Sequence, residues 1–432
     1  MTENEKDRRD KRCIACGGAL HSLGTFHDMP ASAQELPTEE LLSEERGIDL
    51  PLCQCHSCGL VQFPVEPVSY YKDVIRAGGG TKTMIRLRHE EYLRLLTELE
   101  KQGLRHPRIL EVGCGRGEFL EMWKSLWETD GIERGEAGTE HAEAEERNAV
   151  HIRRIRPVLF GIEHSAALAR EAQAKGLQVF RDFAEGEKLL PEAPFDAFVQ
   201  FNFLEHQPKP LDMLRTIRRN LRDGGLGLLT VPSFEYILQH DGYYELLRDH
   251  IANYTEETLQ ALLQEAGFEL LSSRIVNRDT IEAIVRKAEP ETLSKLCFSG
   301  ALLDISPLLE NYEMLRQDIR GYLDGLGREG KRLAIWGASH QGFTLAASTE
   351  LGGRVSYIID SARFKQGRFA PASHIPIVSP EHFFTEPVEE ILIVAPGYTD
   401  EIADIIRARY GGQVGILALR GKRITRYGEN HP

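Results

Sequence analysis

The spacing of apolar residues changes along the chain. Up to about residue 75 they follow no regular period, and acidic and turn-forming residues dominate MPASAQELPTEELLSEERG. RLRHEEYLRLLTELEKQG then sets Leu87, Tyr92, Leu95, Leu96 and Leu99 at mostly helical spacing, which predicts one amphipathic helix. RILEVGCGRGEFL reads as a short apolar strand, a glycine-rich turn and a helix start. Further strands are expected at VLFGIE (158–163), DAFVQFNF (196–203), LGLLTVP (226–232) and FELLSSRIV (268–276). Helical patterns separate most of them, and that alternation predicts parallel βαβ units.

One segment breaks the rhythm. Residues 128–156 are charged and weakly periodic where a second strand would normally follow closely, so they read as a surface insertion, a flap or a plain loop. Residues 290 to about 330 are expected to be mostly helical. A second α/β pattern follows, opening at RLAIWGASHQGFTLAAS and continuing through VSYIID, EILIVAPG and VGILAL. Three domains are therefore expected, at 1–75, 76–290 and 291–432.

Charge and composition narrow the function. The 432 residues carry 66 Asp+Glu against 52 Lys+Arg, a net charge of -14. Such a surface repels phosphate backbones, and nucleic acid is not an expected partner. No apolar run is long enough to span a membrane, and the charged N-terminus, MTENEKDRRDKR, has no apolar core of a signal peptide. Seven cysteines suit a reducing cytoplasm with one metal site better than a disulfide framework.

Four of those cysteines form two CxxC pairs, Cys13/Cys16 and Cys55/Cys58, each followed by glycine. Two such pairs can close a tetrahedral zinc site with no open catalytic position, so a structural Zn2+ is expected. A redox CxxC would want an adjoining βαβ unit, which neither pair has. Cys53 and His56 could each substitute for a ligand, but only Cys55/Cys58 repeats the upstream spacing.

The turn EVGCGRG places Gly113, Gly115 and Gly117 after an apolar strand. Dinucleotide enzymes use related turns, and a tight structural turn needs no ligand. Two carboxylates favour S-adenosyl-L-methionine. Glu111, at the strand end, can meet the cationic amino acid end of that cofactor and would repel a pyrophosphate. Glu163 ends the next strand and can accept both ribose hydroxyls. Asn202, opening NFLEH, joins these cofactor candidates.

These motifs occur in a fixed order. CxxC…CxxC-GLVQ comes first, then EVGCGRG and NFLEH, then WGASHQG (Trp336–Gly342), IID ending at Asp360, KQG (Lys365–Gly367) and HIPIVSPE (His374–Glu381). In this the whole chain resembles the bacterial sugar C-methyltransferases, which methylate carbon in nucleotide-linked keto-deoxysugars. The resemblance implies a zinc-binding N-terminal domain, a class I methyltransferase Rossmann-like domain and a C-terminal Rossmann-like α/β domain. Acceptor-facing elements depart from the family. Its Tyr-His-Glu-His run is replaced by Leu247, Arg248, Asp249 and His250. Its His-Gly-Gly-Ser-Leu-Arg run becomes Asn277–Glu282, and the lysine of its GAxxKG motif is Gln341.

A carbon acceptor must lose a proton beside a carbonyl or imine before it can attack a methyl group, so a general base is needed. His250 is the first candidate, and Asp249 could support it or share the task. Glu205 and His206 fall on the carboxyl edge of the sheet, where ligands bind. Tyr71, Arg76 and Tyr254 are further substrate candidates. His340 and Gln341 could offer backbone amides to a substrate phosphate, and Asp360 ends a strand in a ribose-contact position. The expected function is methyl transfer to carbon of a nucleotide-linked sugar or a related small polar metabolite. The alternatives are transfer to nitrogen or oxygen, a non-catalytic scaffold that keeps the cofactor fold, and a nicotinamide dehydrogenase.

Overall fold

The structure is a computed structural model. It describes residues 12–72, 82–128, 155–288, 298, 301–395 and 398–428. Most of the expected insertion (129–154) and the substrate candidate Arg76 lie outside the described residues.

The N-terminal segment is more regular than its sequence suggested. β1 (Leu20–Met29), β2 (Ile48–Cys55) and β3 (Val61–Gln62) run antiparallel in turn. Two register shifts in β1 explain why no alternation was visible: they break the period of two, so that Phe26 and Met29, three apart, both face the core.

The central segment opens with α1 (Lys82–Lys101), β4 (Arg108–Val112), α2 (Glu118–Glu128), β5 (Val158–Glu163), α3 (Ala166–Ala174), β6 (Val179–Arg181) and β7 (Phe195–Phe201). It continues through α4 (Pro210–Arg219), β8 (Leu221–Pro232), α5 (Phe234–Gln239), β9 (Ala252–Asn253), α6 (Glu256–Glu265), β10 (Phe268–Val276) and β11 (Thr280–Lys287). Seven strands form one sheet in the order β10-β11-β8-β7-β4-β5-β6. β4 through β8 are parallel, and β11 is antiparallel to both its neighbours. This is the Rossmann-like class I methyltransferase fold. β11 was not expected. Residues 281–285 are all buried, so they do not alternate, and Glu282 among them is a buried charge held by Arg94 and Arg274.

β9 is the exception to that order. It leaves the central segment to pair with β3, making the fourth strand of the N-terminal sheet. Phe63 N also donates to the Ile251 carbonyl at 3.0 Å.

The C-terminal segment runs α7 (Ser306–Arg328), β12 (Leu333–Trp336), α8 (His340–Ser348), β13 (Ile358–Ile359), β14 (Ile377–Val378), β15 (Glu390–Ile393), α9 (Thr399–Tyr410), β16 (Gly415–Arg420) and β17 (Arg423–Arg426). Its sheet order is β14-β13-β12-β15-β16-β17, parallel except for β17. α7 buries Leu308, Tyr312, Leu315, Ile319, Leu323 and Leu326, a helical stripe. That stripe joins one apolar core with Phe26 and Leu50 of the first sheet and Ile335 and Leu392 of the last. No helix among the described residues is long and apolar enough to cross a membrane.

Candidate active site and cysteine cluster

Cys13, Cys16, Cys55 and Cys58 converge with all four sulfurs within 4.8 Å of one another. The cross-pair distances are 3.6 Å (Cys13–Cys58) and 3.4 Å (Cys16–Cys55). Sulfurs about 2.3 Å from a tetrahedral zinc sit about 3.8 Å apart, so this donor set fits zinc and closes its shell. Each pair sits on a tight turn, with Gly17 N on the Cys13 carbonyl and Gly59 N on the Cys55 carbonyl. Cys53 and His56 are not part of this group.

The glycine-rich turn follows β4 and is tied to the end of β5: Gly113 N and Cys114 N both donate to the Ile162 carbonyl. Gly113 and Gly117 hold φ of +74° and +81°. A Cβ on Gly117 would lie 2.2 Å from Leu177 Cδ1, so only glycine fits there. Glu163 is held from two sides, by Gly115 N (2.9 Å) and Ser165 N (2.7 Å). It lines a narrow cleft with Gly113, His164, Asp182, Phe183 and Phe203. A bare backbone turn, an oriented carboxylate at a strand end and aromatic walls suit an adenosyl group. The chemistry of these residues fits S-adenosylmethionine, while the cleft itself encloses only about 10 Å³. Asp182 and Phe183 were not singled out from sequence. The signal was an acid-aromatic pair ending the short strand VFR.

Other cofactor candidates sit differently. Glu111 is buried, its Oε2 has no hydrogen-bond partner, and burial holds its carboxyl well above the usual range, with the Arg88 charge opposing. Glu111, Gly115 and Gly117 wall neither the cleft nor the larger cavity beside it. Asn202 lines that larger cavity, and its Oδ1 accepts from Thr230 Oγ1 at 3.0 Å.

The larger cavity, of about 520 Å³, lies where the three segments meet. Ala33 and Gln34 come from the first, Glu205, His206, Asp249 and His250 from the second, and Ser339 to Gln341 from the third. A one-turn 3₁₀ helix at Leu204–His206, just past β7, places Glu205 and His206. The His206 and His250 rings meet edge to face, 4.6 Å apart. Their Nε2 atoms lie 3.9 and 4.0 Å from Glu205 Oε1. His206 Nδ1–H donates to the Asp249 carbonyl (2.9 Å), which leaves its Nε2 as the bare nitrogen.

Burial sets the charge state of this group. It lowers His206 to about 4 and raises Glu205 to about 8. His250 is held well below its usual range by burial first and by His206 next. Both Glu205 oxygens are buried without a hydrogen-bond partner, and the Asn202 amide is the polar group beside them. At neutral pH the cluster is two neutral imidazoles around a protonated carboxyl.

Three expectations change. The Asp249 carboxylate does not support His250. It accepts from Tyr70 OH (2.6 Å) and Ala33 N (3.1 Å) of the first segment, and it sits in a tight turn in which His250 N donates to the Leu247 carbonyl (2.8 Å). Tyr254 is wholly buried with its hydroxyl unpaired and lines neither opening. It packs in one apolar core with Leu204, Cys13 and Cys55. Tyr71 packs edge to face on Phe183 (6.4 Å), which lines the narrow cleft, and is not part of the larger cavity's lining. Arg88 and Glu91, missed in sequence, form a buried ion pair on α1, and Arg88 reaches the cavity wall. They sit on the helix face shared with Tyr92 and Leu95, where charges read as solvated.

Residues 84–273 match the model of a methyltransferase domain, and residues 307–416 that of a C-methyltransferase C-terminal domain. C-methyltransferase NovU of Streptomyces niveus is 24% identical over 419 residues, 91% of each chain. Among solved structures, an S-adenosylmethionine-dependent methyltransferase from Clostridium acetobutylicum ATCC 824 aligns with 12% identity and a TM-score of 0.32, over 46% of this chain and 92% of that one. Magnesium protoporphyrin IX methyltransferase (ChlM) from Synechocystis PCC 6803, with bound SAM, aligns with 11% identity and a TM-score of 0.31, over 51% and 94%.

Proposed function

We propose that this S-adenosylmethionine-dependent methyltransferase delivers its methyl group to a carbon of a nucleotide-linked sugar or a related small polar metabolite, after His250 removes the proton from that carbon. The C-methyltransferase C-terminal domain and the likeness to NovU support a C-methyltransferase family. The observation that carries the reading is the pair of neutral histidines around Glu205, at the carboxyl edge of the sheet and beside the cofactor turn.

When bound, S-adenosylmethionine supplies a methyl group on a sulfonium, whose positive charge disappears on transfer. His250 Nε2, neutral through burial, accepts the C–H proton and becomes imidazolium near Glu205. The protonated Glu205 carboxyl donates a hydrogen bond to the oxygen on which the enolate charge develops. His206, its tautomer set by the Asp249 carbonyl, holds the other side of Glu205. After transfer, His250 returns the proton to solvent. The cysteine unit is proposed to hold structural zinc. Through Tyr70, Ala33 and the β3–β9 pairing it braces the loop that carries Asp249 and His250.

Incubation with cofactor labelled with carbon-13 in its methyl group, followed by carbon NMR and mass detection of products, tests the reading. A methyl carbon bonded to carbon is expected. Label found only on nitrogen or oxygen contradicts it.

A further inference from the structure

Three side chains on the cavity wall bring donor atoms to one point outside the cysteine cluster. Glu205, His206 and His250 each offer one such atom, and these lie within 4.8 Å of one another. The two histidine Nε2 atoms are 3.9 and 4.0 Å from Glu205 Oε1. A tetrahedral zinc sets nitrogen and oxygen donors about 3.4 Å apart, so closing the two measured edges takes roughly half an ångström. Rotation of the Glu205 carboxyl supplies that movement, because no hydrogen bond holds either of its oxygens.

The surroundings are those of a ligand set. The Glu205 side chain is only 1% exposed yet lines the cavity, and a buried carboxyl with both oxygens unpartnered calls for an occupant. His206 Nδ1–H, donating to the Asp249 carbonyl (2.9 Å), fixes its ring and leaves Nε2 as the donor atom, and metal-bound imidazoles usually make such an outer hydrogen bond. The Asp249 carboxylate does not join the group, because Tyr70 OH and Ala33 N already occupy it. All three residues line the cavity, so the remaining positions around an ion open into it. The same lining carries Glu245, Asp249 and Asp279, while its cations are engaged, Lys365 with Asp360 (3.3 Å) and Arg88 with Glu91. Nothing there repels a divalent cation.

We infer that Glu205, His206 and His250 form a second metal site, which takes a zinc-type divalent transition ion and silences the base. Two imidazoles and one carboxylate suit Zn2+, Co2+ or Ni2+, whereas Mg2+ and Ca2+ want oxygen donors. Binding sends the Glu205 proton to solvent and commits the His250 Nε2 lone pair to the ion, so that nitrogen no longer accepts a proton from carbon. The site stands on its geometry, and only its effect on turnover rests on the methyl-transfer reading above. With three protein ligands it is weaker than the four-cysteine site, so its ion leaves on gel filtration while an ion held by the cysteines stays.

Titration of the full chain with Co2+, after loading with one equivalent of zinc and gel filtration, tests this. One further equivalent is expected to bind at micromolar concentration. It should give the visible absorption of Co2+ among nitrogen and oxygen ligands, without the near-ultraviolet charge-transfer band of thiolate ligands. Excess Mg2+ should not compete. Glu205→Gln and His206→Ala should each bind that ion about tenfold more weakly or worse, while keeping their zinc and their circular dichroism. In the unmodified chain, substoichiometric Co2+ should broaden the ring-proton signals of two histidines first, a readout that needs no variant. No second equivalent below millimolar concentration, a thiolate band alone, no selectively broadened histidine pair, or undiminished affinity in the folded variants overturns the inference. Once an acceptor is in hand, saturating Co2+ should lower turnover about 10²-fold or more. Unchanged or raised turnover overturns the silencing of the base. If no acceptor is methylated at all, the methyl-transfer reading fails, and the Co2+ titration still decides the metal site by itself.

Discussion

Replacing Glu205 by Gln removes one titrating group from the cavity and leaves its shape. In the folded chain this carboxyl keeps its proton up to about pH 8, whereas an ordinary glutamate loses it near 4.5. Between those values the unfolded chain binds fewer protons than the folded one, so the wild-type protein loses stability as pH rises. Each unit costs about 1.4 kcal/mol, giving a loss of about 3 kcal/mol at pH 7 and about 5 kcal/mol above pH 8. Gln cannot ionise and carries no such loss. The depressed histidines give the opposite slope at acid pH, but they are common to both proteins and cancel in the difference. Urea unfolding of the two proteins from pH 4 to 9, followed by circular dichroism, reads that difference directly. Glu205→Gln should match the wild type near pH 4 and exceed it progressively to pH 8, then level off. A difference that stays flat across the range, or a wild type that gains on the variant at alkaline pH, refutes the assignment of a buried protonated carboxyl.

Other expectations follow from single contacts. Cys16→Ser or Cys58→Ser should drop metal content below one equivalent and unfold the first sheet, since metal binding there is coupled to folding; a full equivalent of zinc in either variant contradicts this. Gly117→Ala forces a side chain into a left-handed backbone and onto Leu177, and should cost about 2–4 kcal/mol in thermal or urea unfolding together with cofactor affinity. An unchanged midpoint would show that the turn relaxes freely. His250→Ala should lower turnover by about 10²–10⁴ while sparing zinc content and cofactor binding, and unchanged turnover removes His250 from the mechanism.

Much of the framework was legible because its physical signals are local. The limits of β10 at 268–276 are those of its apolar run, and the helix expected over 86–103 is observed at 82–101. The glycine turn and the CxxC pairs were legible because spacing alone constrains their chemistry. What escaped depends on contacts distant in sequence. β1 hides behind its bulges, and β11 behind a buried Glu282 whose partners Arg94 and Arg274 come from other elements. The direction of Asp249 follows from Tyr70, 179 residues away. Glu245 and Gln341, 96 residues apart, meet only when α8 packs on the central segment. Even the segment boundaries are blurred for this reason: β9, next to His250 in sequence, completes the cysteine-bearing sheet.

The most direct measurement of carbon activation is hydrogen exchange at the accepting carbon, in deuterium oxide with S-adenosylhomocysteine in place of the methyl donor. Once the acceptor is in hand, proton NMR follows loss of that C–H signal. Wild-type protein should exchange it without any methyl transfer, and His250→Ala should not. A product methylated on carbon but with no exchange in the wild type, or equal exchange in the variant, contradicts base-first activation by His250.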